Sequence, residues 1–144
     1  MWKQRVGQAE NNQRKCEDSY GNQKRLEFLT NIITRLEPRL VLDIGCGTGL
    51  VAEKIKKINK KAIIDGVDIS TDMIEISKTK KLYRNLFDLD LNGNLSDLSK
   101  NYVAIISAGT FTHGHLGSDV LRRLVEHFDT KTCCVIGINF KHYA

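Results

Sequence analysis

Proline is scarce in this 144-residue chain, with Pro38 the single example, and aromatic residues make up only 7% of it. No repeat, linker or low-complexity segment stands out. No apolar run approaches the roughly 20 residues that a membrane-spanning helix needs. The N-terminus is polar and lacks the apolar stretch of a secretory signal, so the expected location is cytoplasmic, with no membrane partner. Four cysteines are present, none in a C-x-x-C pair. Cys133 and Cys134 are adjacent in an apolar stretch, and Cys16 and Cys46 stand apart. That spacing suits incidental thiols rather than metal ligands, and no metal site is expected.

What is there describes one globular domain. The hydrophobic share is 41% and the charged share 27%, with a net charge of +5. Lysines crowd 54–61 and 78–81, where they can serve as a phosphate-binding patch or simply as solvated helix ends. Nothing aromatic is interleaved with them, which favours the second reading. Residues 1–22 are polar and without period, and are expected to form a mobile segment ahead of a domain at 23–144. From Gln23 the spacing of Leu26, Leu29, Ile32, Ile33 and Leu36 predicts a helix that Pro38 stops. Leu40 to Ile44 reads as a buried strand, and Leu50 to Asn59 as a helix with Val51, Ile55 and Ile58 on one face. A second strand ends at Asp68, and Ser70 or Thr71 can cap the helix that follows. A third strand lies within 82–91, and a weak helical turn is expected at Leu95 to Ser99. A fourth strand covers Tyr102 to Ser107, ends in Ala108-Gly109 and leads into a loop at 110–117. A helix capped by Ser118 then carries Val120, Leu121, Leu124, Val125 and Phe128, and a fifth, apolar strand covers 133–140. Strands alternating with helices predict an α/β fold, a doubly wound parallel sheet with right-handed crossovers.

The most informative stretch is Val41-Leu42-Asp43-Ile44-Gly45-Cys46-Gly47-Thr48-Gly49. A strand breaking into a glycine-rich turn before a helix brings backbone close to a nucleotide-like ligand. About twenty residues on, Asp68 ends the next strand, where a carboxylate can accept the hydroxyls of a ribose. A dinucleotide site requires G-x-G-x-x-G, but Leu50 stands where the third glycine belongs, which argues against NAD. No Gly-Lys-Ser/Thr follows, so it is not a P-loop.

The nonapeptide resembles motif I of the class I S-adenosylmethionine-dependent methyltransferases. Asp65-Gly66-Val67-Asp68-Ile69-Ser70-Thr71-Asp72-Met73 resembles their next motif at the matching distance. Tyr83 to Leu91 resembles the third-strand motif. Ile105 to Gly114 resembles the fourth-strand motif of the small methyltransferases near the Williams–Beuren-region type. The likeness covers about 40–140. It implies a Rossmann-like core with strand order 3-2-1-4-5, here lacking the usual C-terminal antiparallel strand pair. It also implies S-adenosylmethionine as cofactor. Within it Gly45, Cys46, Gly47 and Gly49 would border the methionine portion, and Asp43 would fix the turn or reach the ammonium through water. Asp68 would take the ribose hydroxyls, Ile69 would lie on adenine, and Met73 would flank the site. Asp90 would accept from the adenine amino group with Leu91 lending backbone, and Asp88 competes for that role. Ser107 and Gly109 would pass beside the sulfonium.

Methyl transfer from a sulfonium depends mainly on aligning donor and acceptor and excluding water. A protonated acceptor also needs a base, for which His113 and His115 are the candidates, unless 110–115 is only a structural turn. The prolines of Asp/Asn-Pro-Pro-Tyr amino-methylating enzymes and the Pro-Cys of cytosine C5 enzymes are absent. So is the strand-four acid that Lys-Asp-Lys-Glu ribose methylases and catechol-type metal sites require. A small-molecule acceptor remains by elimination. The alternatives are a non-catalytic protein that binds S-adenosylmethionine or S-adenosylhomocysteine, and an RNA methylase, for which the lysines are the only motive. The apolar strand 133–140, at a sheet edge, offers a surface for self-association.

Overall fold

The computed structural model describes residues 20–35, 39–111 and 116–138. Helices and strands alternate along them except between β3 and β4: α1 (Tyr20–Arg35), β1 (Leu40–Ile44), α2 (Leu50–Ile58), β2 (Ile63–Asp68), α3 (Thr71–Lys80), β3 (Asn85–Asp88), β4 (Ala104–Phe111), α4 (Ser118–His127) and β5 (Cys133–Ile138). The strands form one parallel sheet in the order β3-β2-β1-β4-β5. This is the order that the methyltransferase resemblance implies. The expected absence of a further strand pair, and most of the segment 1–22, concern residues outside the described ones.

The central strand explains the layering. Parallel sheets are covered on both faces, so their strands read as apolar runs rather than alternations. In β1, Leu42 and Ile44 face Val67, Ile105, Val120, Leu124 and Phe128, while Val41 faces Ile33, Val51, Ile55, Ile64 and Ile106. Each such side chain contributes about 1.5–3 kcal/mol when fully buried. The chain reverses at the β1 and β4 boundary of the sheet, so the carboxyl ends of β1, β2 and β4 open a crevice there.

Several boundaries depart from the sequence-based expectation, each for a local reason. Helix α1 starts at Tyr20. Ile58, expected inward, ends α2 and is 58% exposed; Val125, expected inward, is also exposed, because Val120, Leu124 and Phe128 already fill the inner stripe. Helix α4 is capped by Gly117 with no side-chain bond, so Ser118 is its first residue rather than its cap. The weak turn expected at Leu95 to Ser99 is present, by contrast, as a single turn closed by Leu98 N–H to Leu95 O, with Leu95 and Leu98 both drawn into the core. Strand β4 does not stop at Ser107 but resumes pairing at Phe111 opposite Ile138, after a register irregularity.

One buried polar cluster holds β2 to its neighbours. Asp65 is 1% exposed. It accepts from Arg84 Nε at 3.0 Å and Nη2 at 2.6 Å, from the Asn85 backbone N–H at 3.1 Å and from the Tyr102 hydroxyl at 2.8 Å. A buried carboxylate is tolerated only when paired and hydrogen-bonded in this way.

Candidate functional site

The glycine turn is built by its neighbours. Gly45 has φ +64°, and a Cβ there would fall 1.7 Å from Thr110 Oγ1, so only glycine fits. Thr110 in turn donates its hydroxyl to Ile44 O at 3.0 Å, which locks the end of β4 against the end of β1. Gly47 also has positive φ, +54°, yet a Cβ there would meet nothing within 4 Å. At Gly47 the missing side chain therefore opens space beside the backbone.

The amide donors of the turn point inward. Gly45 and Cys46 both donate to Val67 O, at 2.8 and 3.0 Å, and Gly49 donates to Cys46 O at 2.9 Å. Gly47 N–H donates to Asp68 Oδ2 at 2.9 Å, and the other Asp68 oxygen accepts from Ser70 N–H at 2.8 Å. Ser77, fully buried on α3, donates to Gly47 O at 2.6 Å. A pyrophosphate site needs a fan of outward-facing amides. Here four of the five amides of 45–49 are already bonded within the protein.

Beneath the turn lies Asp43, 1% exposed, accepting from the Tyr83 hydroxyl at 2.7 Å. Burial raises its carboxyl from 3.8 to about 7; Tyr83 opposes that rise and Asp68 adds to it. Cys46 is buried beside both carboxylates. Burial first, then Asp43 and Asp68, push its thiol far up, so it stays a neutral thiol and no nucleophile. The Tyr83 ring occupies space that two glycines leave free: a Cβ on Gly66 would come 2.9 Å from it, and one on Gly49 3.3 Å.

The remaining expected residues divide. Ile69, next to Asp68, is a large apolar side chain that is 65% exposed. Met73 lies half-buried in the first turn of α3, which Ser70 caps by accepting from Met73 N–H. Asp88 pairs in register with Asp68 and accepts from the Thr71 hydroxyl at 2.7 Å. Asp90 is exposed and accepts from Asn92 N–H at 2.8 Å in a tight turn. Arg123 of α4 clamps that turn from outside, donating to Leu91 O, Asn92 O and Gly93 O. Leu91 itself is core, packed with Leu95 and Leu98. Ser107 is fully buried with its Oγ unpartnered among the described residues, and Gly109 is exposed at the end of β4. His113 and His115 lie outside the described residues. No group of His, Cys, Asp or Glu that could hold a metal occurs among the described residues. No helix there is long and apolar enough to cross a membrane. Sequence reasoning passed over Tyr83, Ser77 and Thr110; only their contacts in the fold reveal them.

Comparison with known proteins fits this geometry. Residues 41–133 match a family model described as a methyltransferase domain. The chain belongs to this class I methyltransferase family. Among curated relatives, malonyl-(acyl-carrier protein) O-methyltransferase of Bacillus cereus is 34% identical over 87 residues, which are 60% of this chain and 32% of that protein. Ribosomal RNA small subunit methyltransferase C of Aliivibrio fischeri is 37% identical over 92 residues, covering 58% of this chain and 26% of its own. The chain thus spans between about a quarter and a third of the length of these relatives. Among solved structures, a TehB-like SAM-dependent methyltransferase from Corynebacterium glutamicum superposes with a TM-score of 0.68 at 22% identity, over 94% of this chain and 75% of that one. This last likeness is one of fold.

Proposed function

We propose that this methyltransferase domain binds S-adenosylmethionine in the crevice at Gly45–Gly49 and catalyses methyl transfer to a small-molecule acceptor. The observation that carries the reading is the pairing of Asp68, fixed by two backbone N–H bonds, with an exposed Ile69 beside open space at Gly47. A carboxylate with both oxygens oriented and lone pairs to spare suits a diol, and a bare aliphatic side chain next to it suits a flat base. The unpartnered Ser107 Oγ and the empty Cβ position at Gly47 also fit a polar amino-acid tail lying along the turn.

When bound, this cofactor supplies an activated methyl group and a neutral thioether leaving group, so the protein is spared from activating either. Asp68 and Ile69 hold the nucleoside, and the turn sets where the reactive end lies. The Thr110–Ile44 bond keeps β4 and β1 from parting. Rigid placement of this kind supplies much of the acceleration in a bimolecular displacement. Asp88 and Asp90 are both candidates for the base edge, Asp88 from the strand end and Asp90 from the clamped turn.

Calorimetry with S-adenosylmethionine, S-adenosylhomocysteine and NAD tests the site. The two sulfur nucleosides bind and NAD does not. Asp68→Ala weakens the first two by about tenfold or more, since it removes a charged hydrogen-bond acceptor. Unchanged affinity, or preference for NAD, overturns the assignment. A labelled methyl group offered with a metabolite panel separates turnover from binding alone. The ribosomal RNA relative makes an RNA acceptor the second reading. It requires binding that falls steeply with salt, and flat salt dependence removes it.

A further inference from the structure

Two carboxylates at the glycine turn lack a counter-cation. Asp43 is 1% exposed, Asp68 is close enough to raise its carboxyl, and neither forms an ion pair among the described residues. Asp68 is held by two backbone amides. Asp43 accepts from one donor among the described residues, the Tyr83 hydroxyl at 2.7 Å. An ionised carboxylate can accept several bonds, so one donor in a buried place leaves its charge under-served.

The sheet is shaped to let that donor through. Asp43 pairs in register with Gly66 of β2, and a Cβ on Gly66 would come 2.9 Å from the Tyr83 ring. The ring therefore crosses β2 where no side chain stands. A Cβ on Gly49 would lie 3.3 Å from its other edge, so the ring is wedged between two glycines. The adjoining Arg84 N–H donates to Ile64 O at 2.7 Å and anchors the segment. Burial keeps the Tyr83 hydroxyl protonated, so the donor is permanent. The other charged or titratable groups at this corner are Cys46 of the turn, Asp68 of β2, and Glu53 of α2 with its partner Lys80 of α3. Helix α1 brings Arg25 over Gly109, and the β4 partner of Asp43 is the uncharged Ile106.

We propose that Tyr83 is a positioning residue for ligand binding, biasing Asp43 toward ionisation so that a cationic ligand group binds with release of the Asp43 proton. The inference rests on the nucleoside site proposed above, whose sulfur nucleosides carry an ammonium on the tail. A hydroxyl donor stabilises the ionised carboxylate more than the neutral acid. Tyr83 acts through Asp43 and not on the ligand. The incoming ammonium supplies the missing counter-charge, ionisation is completed, and the proton leaves to solvent. Because burial holds the Asp43 carboxyl at about 7, the release is large at neutral pH and fades above it.

Calorimetry of the full chain with S-adenosylhomocysteine, run in phosphate and in Tris, counts the protons released, because the two buffers differ in heat of ionisation. About half a proton leaves per ligand at pH 7 and about a tenth at pH 8. 5′-Methylthioadenosine, which lacks the ammonium, binds without release. In Tyr83→Phe the Asp43 carboxyl rises further, so affinity for S-adenosylhomocysteine falls about tenfold at pH 6 and only about twofold at pH 8. 5′-Methylthioadenosine binds wild type and Tyr83→Phe alike. In Asp43→Asn the proton release disappears, and adding Tyr83→Phe changes affinity no further. A Tyr83→Phe loss that is equal at both pH values is a purely structural contribution and overturns the inference. So does binding of S-adenosylhomocysteine to wild type with no proton released at pH 7. Either result leaves the nucleoside site standing. If wild type binds neither nucleoside, the site and the inference fall together. Should Tyr83→Phe fail to fold, the wild-type proton count decides alone.

Discussion

Tyr83→Phe isolates the support beneath the turn. The substitution keeps the ring beside Gly49 and Gly66 and removes only the hydroxyl that donates to Asp43. The Asp43 carboxyl is raised by burial to about 7 from 3.8. Because the folded value lies above the unfolded one, the folded chain retains a proton that the unfolded chain has already released. Asp43 therefore withdraws stability as pH rises from about 4 to about 7, and the loss is complete above that. The gap corresponds to about 4 kcal/mol. The Tyr83 hydrogen bond is worth about 1.5–3 kcal/mol to the ionised carboxylate but only about 0.5–1.5 kcal/mol to the neutral acid. Tyr83 itself is pushed well above 10 by burial, then by Asp43, so it remains a donor throughout. The other titratable groups around the pair are Asp68, Cys46 and Glu53, the last ion-paired to Lys80 at 2.8 Å.

Urea denaturation at pH 5.5, 7 and 8.5 reads the consequence. Tyr83→Phe costs about 1 kcal/mol at pH 5.5 and about 2 kcal/mol at pH 8.5, as the ionised form loses more than the neutral one. In an Asp43→Asn background the same substitution costs the same at every pH, because nothing titrates beneath the turn. A Tyr83→Phe penalty that is flat or falls with pH in the wild-type background would mean that Asp43 is not the titrating partner.

Two further outcomes follow from contacts at the turn and the loop. Gly45→Ala collides with Thr110 and forces a left-handed backbone on alanine, so it costs about 2 kcal/mol or more, measured by the same denaturation. Gly45→Ala combined with Thr110→Ala regains only the collision part, and complete recovery would refute the backbone contribution. Arg123→Ala releases three carbonyls of the turn after Asp90. Hydrogen exchange at 91–98 speeds up while α2 and β1 remain protected, and unchanged exchange would show that the clamp is dispensable.

The parts of this molecule that were legible from sequence are those fixed within a few residues. The apolar runs of β1 and β2 specify buried parallel strands, and the glycine spacing specifies the turn. Asp68 at the end of β2 follows from both. Thr110 could not be found this way, since its partner Ile44 lies 66 positions earlier and nothing local marks the meeting. The same holds for Tyr83 and Asp43, 40 positions apart. Strand β4 reads as finished at Ser107 because Ala108-Gly109 looks like an exit, whereas pairing with β5 resumes after an irregularity that local pattern does not encode. Ser118 has the side chain of a helix cap, but Gly117 occupies the capping position.

Asp68 joins these strands of reasoning. One of its oxygens holds the Gly47 amide and the other the Ser70 amide, so the carboxylate ties the turn to the entry of α3 before any ligand arrives. Ser77 reaches from α3 to the carbonyl of the same glycine and closes the loop from the opposite side. If the proposed site is the ligand site, one already ordered in this way loses little conformational freedom on binding, so more of the contact energy appears as affinity. On that proposal the same bonding sets the selectivity. Amides committed inward cannot be lent to a phosphate chain, whereas the open space at Gly47 and the exposed Ile69 remain available to a sulfur nucleoside.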